Sequence, residues 1–296
     1  MTAAARQRPN PGTLFLDHVS HFVPDLAAAR RTLEALGFTV TPPSAQRTQD
    51  GPAGTANVCV MLDAGYLEFL APVADTPNAA RLHAAMQRHP GVHLACFGTP
   101  TAKEEHARLE RHGFDPLPLI ELSRPVEASG RSETAQFKVV RLPPDRMPEG
   151  RIQFVEQLTP HWLWQPRLLQ HANGVRGLSC VLVAAKDRIE TAARWAHFAA
   201  LLPAPAGEFV HLATARGHVL VGDGRSWRDL LGEAPPAPAL AGYALEFRDP
   251  DRFARRCEEA SLVPRRLRAQ LYAVTLPPAL GGAWIFGTRR SLGFPR

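Results

Sequence analysis

The sequence predicts an α+β protein built from four βαβββ modules in two pairs. Three observations carry this reading. Leu33-Glu34-Ala35-Leu36-Gly37-Phe38 returns as Leu109-Glu110-Arg111-His112-Gly113-Phe114, 76 residues later. Glu68-Phe69-Leu70-Ala71-Pro72 is echoed by Glu156-Gln157-Leu158-Thr159-Pro160, 88 residues later, so the second unit carries 12 extra residues in its middle loops. Short apolar runs alternate with single helical patterns along all 296 residues, a length that accommodates two domains of about 150.

In the first module, residues 14–72, the apolar run from Leu14 reads as a strand and Pro24 breaks it. Asp25 caps a helix with Leu26, Ala29, Leu33 and Leu36 at helical spacing, and Gly37 stops it. Residues 38–41 read as the second strand, ended by Pro42 and Pro43. Residues 56–62 read as the third and, after the turn Asp63-Ala64-Gly65, residues 66–70 as the fourth. The second module, residues 90–160, shows strands at 92–97, 137–142 and 152–158 and a helix from Thr101 to His112. Residues 161–176 read as a linker whose Trp162 and Trp164 line a substrate mouth or pack between domains. The third module, residues 177–223, has a strand at 177–183, a helix from Asp187 to Leu202 and a hairpin-like pair at 209–212 and 218–221. Gly222-Asp223-Gly224 reads as a turn. A Pro-rich stretch at 235–238 separates the fourth module, residues 240–287, with strands at 243–247, 270–276 and 283–286 and a helix from Pro250 to Ala260. Residues 1–12 read as a disordered tail, which leaves domains at 13–160 and 177–290.

Composition narrows the function classes. The formal net charge is +6, and all but Lys103, Lys138 and Lys186 of the basic residues are arginine. The arginines are scattered and not interleaved with aromatics, so nucleic acid is not an expected partner. The cysteines at 59, 96, 180 and 257 form no C-x-x-C, as in a reduced, cytoplasmic protein. No stretch approaches the ~18 apolar residues of a membrane span, and no membrane partner is expected. The motifs of phosphate-binding loops, nucleophile elbows and HExxH zinc enzymes are absent. What stands out is Glu68 and Glu156, each on an apolar strand at corresponding places of the repeat. A buried carboxylate requires a partner or a metal. Alternate positions of a strand face one way, so a curved sheet aims residues of several strands at one point.

Leu16-Asp17-His18-Val19, Leu36-Gly37-Phe38-Thr39-Val40, Gly54-Thr55-Ala56-Asn57, Tyr66-Leu67-Glu68, and Phe154-Val155-Glu156-Gln157-Leu158-Thr159-Pro160 through Trp164 to His171-Ala172-Asn173-Gly174 resemble the vicinal oxygen chelate superfamily, and within it the glyoxalase-like domain proteins. The resemblance is strong over residues 14–180 and weak beyond. It implies that each pair of modules forms a half-open mixed β-sheet barrel with helices outside. It also implies a divalent metal (Zn, Ni, Mn or Fe) inside, held from the first and fourth strands of each module. His18 and Glu68 then stand as ligands from the first module and Glu156 from the second. His93 is the candidate for the fourth ligand, although the helix repeat maps position 18 onto Leu94, and a one-residue slip reverses the face. Either the second helix is one residue longer, or a bulge restores His93, or the site lacks this ligand. His21, three residues after His18, points to the other face as a surface or packing histidine. In the second pair Cys180 stands for His18, Leu220 for Glu68, and Ala244 and Ile285 fill the fourth module's places. That pair is expected to be structural or substrate-covering, with Glu246 and His218 at its surface.

The chemistry implied is an isomerase or lyase on a small oxygen-rich substrate. The metal acts as Lewis acid toward two vicinal oxygens, and Glu68 or Glu156 takes a proton next to a carbonyl. An extradiol-type dioxygenase requires two histidines and a carboxylate around Fe(II). A non-catalytic small-molecule-binding protein of the same fold is the other alternative, because the resemblance is specific for fold and not for reaction. The chain is expected as a monomer or a homodimer.

Overall fold

The computed structural model describes residues 2–293. The first module comprises β1 (Phe15–Phe22), α1 (Leu26–Ala35), β2 (Ser44–Thr48), β3 (Gly51–Met61) and β4 (Tyr66–Pro72). After α2 (Pro77–Arg88) comes the second: β5 (Gly91–Gly98), α3 (Ala102–Arg111), β6 (Ile120–Ala128), β7 (Arg131–Arg141) and β8 (Arg151–Gln157). The short α4 (Pro160–Leu163) and a 3-10 turn at Pro166–Leu169 lead to the third: β9 (Val175–Ala184), α5 (Arg188–Ala199), β10 (Pro203–Ala206), β11 (Phe209–Ala213) and β12 (His218–Gly222). Following α6 (Gly224–Leu231), the fourth has β13 (Ala239–Phe247), α7 (Pro250–Glu259), β14 (Arg265–Arg268), β15 (Leu271–Thr275) and β16 (Ala283–Gly287), with α8 (Arg289–Leu292) behind it.

Local sequence sets the helix ends. Asp25, Asp187, Asp223 and Asp249 each accept backbone N–H groups at the starts of α1, α5, α6 and α7. Gly37, at φ +78°, terminates α1. Gly222-Asp223-Gly224 is therefore more than a turn, because Asp223 caps α6.

Within each module the first and fourth strands pair in parallel, and the first strands of paired modules run antiparallel. The first two modules give a closed barrel in the order β1-β4-β3-β2-β6-β7-β8-β5. Its seam is the short β2–β6 pairing, Arg47 against Ser123 and Thr48 against Leu122. The last two modules give an open sheet, β10-β11-β12-β9-β13-β16-β15-β14.

Three segments depart from expectation. Residues 38–41 are not a strand: Phe38 leaves the sheet to pack its ring 5.7 Å from Trp284 and 5.9 Å from Phe253, and the second strand falls later, on polar β2. The first dozen residues are not all loose: Gln7 is fully buried and its Nε2 donates to the Asp63 carbonyl at 3.1 Å. The stretch 161–176 is anchored, with Leu163, Trp164 and Leu168 packed into the apolar cluster inside the barrel.

A larger apolar cluster joins the outer wall of the barrel to the open sheet. Phe154 stacks on Phe198 at 4.7 Å, and Phe97 meets Trp195 edge-on at 6.3 Å. Arg194 of α5 forks onto buried Glu149 with two bonds of 2.9 Å, and Trp195 Nε1 donates to the same carboxylate at 3.2 Å. Backbone bonds cross the joint as well, from Leu16 N to Arg216 O at 2.7 Å and from Leu178 N to Ala64 O at 2.9 Å. His21 belongs to this joint as a packing residue. Its Nδ1–H donates to the Leu280 carbonyl and its Nε2 accepts from the Tyr243 hydroxyl, both at 2.9 Å. Burial lowers its pKa to about 4.

Candidate functional site

The parallel register of β1 and β4 sets His18 beside Tyr66 and Ser20 beside Glu68. His18 and Glu68 are each 5% exposed and line a cavity of about 410 Å³ inside the barrel. A carboxylate so enclosed needs donors. Glu68 Oε1 receives Asn57 Nδ2 of β3 at 2.6 Å and Gln46 Nε2 of β2 at 3.2 Å. Gln46 is held in turn by the Thr55 hydroxyl, which donates to its Oε1 at 2.8 Å.

His18 is oriented by a bulge. In the β1–β5 ladder Leu16 faces Phe97 and His18 faces Cys96, leaving Asp17 as the extra residue. The bulge lets Asp17 reach its neighbour's ring: His18 Nδ1–H donates to Asp17 Oδ1 at 2.7 Å. Gln157 Nε2 also donates to the fully buried Asp17 carboxylate, at 3.1 and 3.3 Å. With Nδ1 committed, Nε2 is the ring nitrogen left for a ligand. The ring stacks on Tyr66 at 4.3 Å, and Tyr66 meets Trp164 edge-on at 5.8 Å. Trp164 Nε1 donates to the Leu62 carbonyl at 3.0 Å, so Trp164 closes the barrel end beneath the site. Burial, reinforced by Asp17 and Glu68, raises the Tyr66 pKa well above its usual value, and the phenol stays protonated. Burial also pushes the Cys59 thiol up to about 12, which keeps it a protonated thiol and a poor nucleophile at neutral pH. Leu70, Leu94, Phe137, Val139 and Val155 give the cavity apolar walls, and the first turn of α2 stands at its rim.

The second module presents different residues at the same places. Leu94 pairs with Arg151 as His18 pairs with Tyr66. Leu94 thus stands for His18, and Gln153 for Glu68. The fourth strands are offset by 85 residues (66 to 151), not the 88 of the Glu-x-x-x-Pro echo. The difference is odd and turns Glu156 to the outside, where its Oε2 accepts the Ala102 N–H at 2.9 Å at the start of α3. A bulge does fall at His93, the extra residue between Val92, which faces His21, and Leu94, which faces Ser20, yet it does not bring the ring into the cavity of His18. His93 lines a neighbouring cavity of about 270 Å³, donates Nε2–H to the His89 carbonyl at 2.9 Å and stacks on Phe22 at 5.1 Å. Burial draws its pKa down to about 3. Of the four residues read as metal ligands, the structure brings together His18 and Glu68 and not His93 or Glu156. Among the described residues no group of three or more His, Cys, Asp or Glu is placed to hold a metal ion. The donor set for a metal of the vicinal oxygen chelate kind does not fit.

In the open sheet Cys180 pairs with His218 as His18 does with Tyr66, so Leu220 stands for Glu68. The fourth module places Gly242 rather than Ala244 at the first-strand position, and Ile285 at the other. His218 is half-buried, with its Nδ1 2.9 Å from His211 Nε2, rather than a free surface residue.

Sequence reasoning missed Asp17, Gln46, Asn57 and Gln153 as parts of the site. One signal for Gln153 was available. Ile152 and Phe154 flank it at alternate positions, which puts Gln153 and Arg151 on the other face of β8.

Residues 16–199 match the glyoxalase-like domain family. No curated protein matches the chain. Among solved structures, a hypothetical protein from Staphylococcus aureus aligns with TM-score 0.66 at 12% identity, over 93% of this chain and 99% of the other. A triple mutant of 4-hydroxymandelate synthase from Streptomyces coelicolor aligns with TM-score 0.52 at 15% identity, over 95% and 94%. A fusion of a xylose isomerase-like TIM barrel with 4-hydroxyphenylpyruvate dioxygenase aligns with TM-score 0.56 at 12% identity, over 98% of this chain and 51% of the other. These likenesses show the fold. Among the described residues no helix is long and apolar enough to cross a membrane.

Proposed function

The chain belongs to the glyoxalase-like domain family, and from there we propose that its barrel binds a small oxygen-bearing molecule without the divalent metal of the superfamily's metalloenzymes. One observation carries this reading: at the four register-equivalent positions stand His18, Glu68, Leu94 and Gln153. That set offers one imidazole, one carboxylate already engaged by two amides, and one neutral amide. Such groups orient hydroxyl and carbonyl oxygens, while the apolar walls take the body of the ligand. The extradiol reading lacks its second histidine, and the lyase reading lacks its second carboxylate.

Elemental analysis and metal titration test the proposal. Protein purified without chelator is expected to carry little Zn, Ni, Mn or Fe. It is expected to bind these ions no more tightly than a His18→Ala/Glu68→Gln variant does. Near-stoichiometric metal that disappears in that variant would restore the metalloenzyme.

The Asp17–His18 pair favours a second reading, metal-independent proton transfer. Asp17 fixes the tautomer whose Nε2 is free to take a proton next to a ligand carbonyl. In deuterated buffer, α-hydroxycarbonyl compounds would exchange their α-proton faster with the wild type than with His18→Gln. Equal rates dismiss catalysis and leave binding.

A further inference from the structure

Three arginines meet where the barrel cavity adjoins the smaller cavity beside His93. Arg81 comes from α2, Arg141 from the end of β7 and Arg151 from the start of β8, and all three line both spaces. Among the described residues none of the three forms an ion pair with a carboxylate. The partners of Arg151 are neutral: its Nη2 donates to Asn78 Oδ1 at 3.2 Å, and its guanidinium lies 5.7 Å over the Phe22 ring. Arg141 Nε is buried with no hydrogen-bond partner. Arg141 and Arg151 are half-buried, so solvent does not fully replace a counter-ion.

Burial first, then Arg141 and Arg81, lowers the Arg151 pKa to about 10 over a smaller opposing pull from Glu68, and burial followed by Arg81 lowers that of Arg141. Each cation is thus destabilised by its neighbours, and an anion among them relieves the repulsion. Glu68 lies deeper in the same cavity, so an anionic end is repelled from the His18–Glu68 wall and drawn to the arginines. Guanidinium groups present planar forks matched to carboxylate and phosphate oxygens.

We propose that Arg81, Arg141 and Arg151 form an oxyanion subsite that holds a carboxylate or phosphate group of the barrel's ligand. The remainder of that ligand lies between Leu94, Phe137 and Val155 and points its oxygens toward His18 and Glu68. This deepens the binding function proposed above and rests on the barrel being the ligand cavity.

The test is calorimetric titration at constant ionic strength with chelator present. The probes are inorganic phosphate, benzoate and the neutral isostere benzamide. At least one of the two anions is expected to bind the wild type saturably and to bind Arg141→Gln/Arg151→Gln about tenfold more weakly or not at all. Phosphate binding without benzoate assigns the phosphate form, and the converse assigns the carboxylate form. Arg81→Gln, on the exposed side of α2, guards against misfolding of the double variant and is expected to weaken the same anion about threefold. The subsite is overturned if neither anion binds the wild type, if the variants bind as the wild type does, or if benzoate binds and benzamide binds as tightly. The two proposals fail separately. Metal uptake through His18 and Glu68 sinks the metal-free reading and leaves the arginines untouched, whereas equal binding of benzamide and benzoate sinks the subsite and leaves the cavity.

Discussion

Where the barrel carries His18, the open sheet carries Cys180; where it carries Glu68 and Gln153, the sheet carries Leu220 and Ile285. The backbone pairing at these places is the same. The barrel closes through β2 and β6 and keeps its inner face partly empty, with His18 held by Asp17 and Glu68 by Asn57 and Gln46. The open sheet fills its corresponding face, where Cys180, Leu220, Ala244 and Ile285 form one apolar cluster with Trp227 of α6 and Leu292 of α8. One strand plan thus yields a cavity or a core, according to whether helices plug the concave side and whether the inward residues need partners. The sheet's role toward the barrel is support, through the aromatic joint and the Glu149–Arg194 fork.

The strongest way to break that division is to weaken the joint. Phe198→Ala removes a fully buried ring stacked on Phe154 and is expected to cost about 4 kcal/mol. Chemical denaturation reads the loss, and an unchanged midpoint would mean that the barrel stands without the sheet. Acid acts on the same joint through His21. Its folded pKa of about 4 lies below the ordinary 6.5, so above pH 6.5 it is neutral folded and unfolded alike. As pH falls from 6.5 to 4 the unfolded chain takes up the proton first and stability declines, by roughly 3 kcal/mol once both states are protonated. His93, with a folded pKa of about 3, acts with the same sign. In denaturation series across this range His21→Leu should show a shallower decline than the wild type; parallel curves would remove His21 as the cause.

The register equivalence within the barrel is sharpened by filling in its missing donors. Leu94→His/Gln153→Glu is expected to bind Zn²⁺ or Ni²⁺ about tenfold more tightly than the wild type, whereas His93→Leu leaves metal affinity unchanged. No gain in the double variant would argue that the strands are paired otherwise. The smallest effect belongs to Glu156. Glu156→Gln loses a charged acceptor at the Ala102 N–H, costs about 1 kcal/mol of stability and leaves ligand binding as it was.

The module plan was legible because apolar strands, aspartate caps and Gly37 stand where the physics of chain ends needs them. β2 and β6 were not, because Gln46, Thr48, Ser123 and Arg124 face a cavity rather than a core and blur the alternation. α2 offered Thr76 and Pro77 as a start signal, but Ala79 and Leu82 are its buried residues and make too thin a stripe. His18 and Glu68 were readable as polar residues on apolar strands. Asp17 was hidden by the bulge, which breaks the period of two. Gln153 was hidden by the Glu156 echo, whose odd displacement reverses the face. Arg141 and Arg151 stand at the facing ends of the paired strands β7 and β8, and Arg81 joins them only because α2 lies at the rim of the same cavity.

The open sheet has two ends that the barrel does not. One is β10, Pro203-Ala204-Pro205-Ala206, and the other is β14, Arg265-Arg266-Leu267-Arg268, both largely exposed. Proline has no N–H to offer an incoming strand, and rows of arginine repel a second copy of themselves. Proline and arginine are therefore placed where two molecules would otherwise zip together edge to edge. The barrel, having no such edge, turns Arg124, Arg141 and Arg151 toward its cavity.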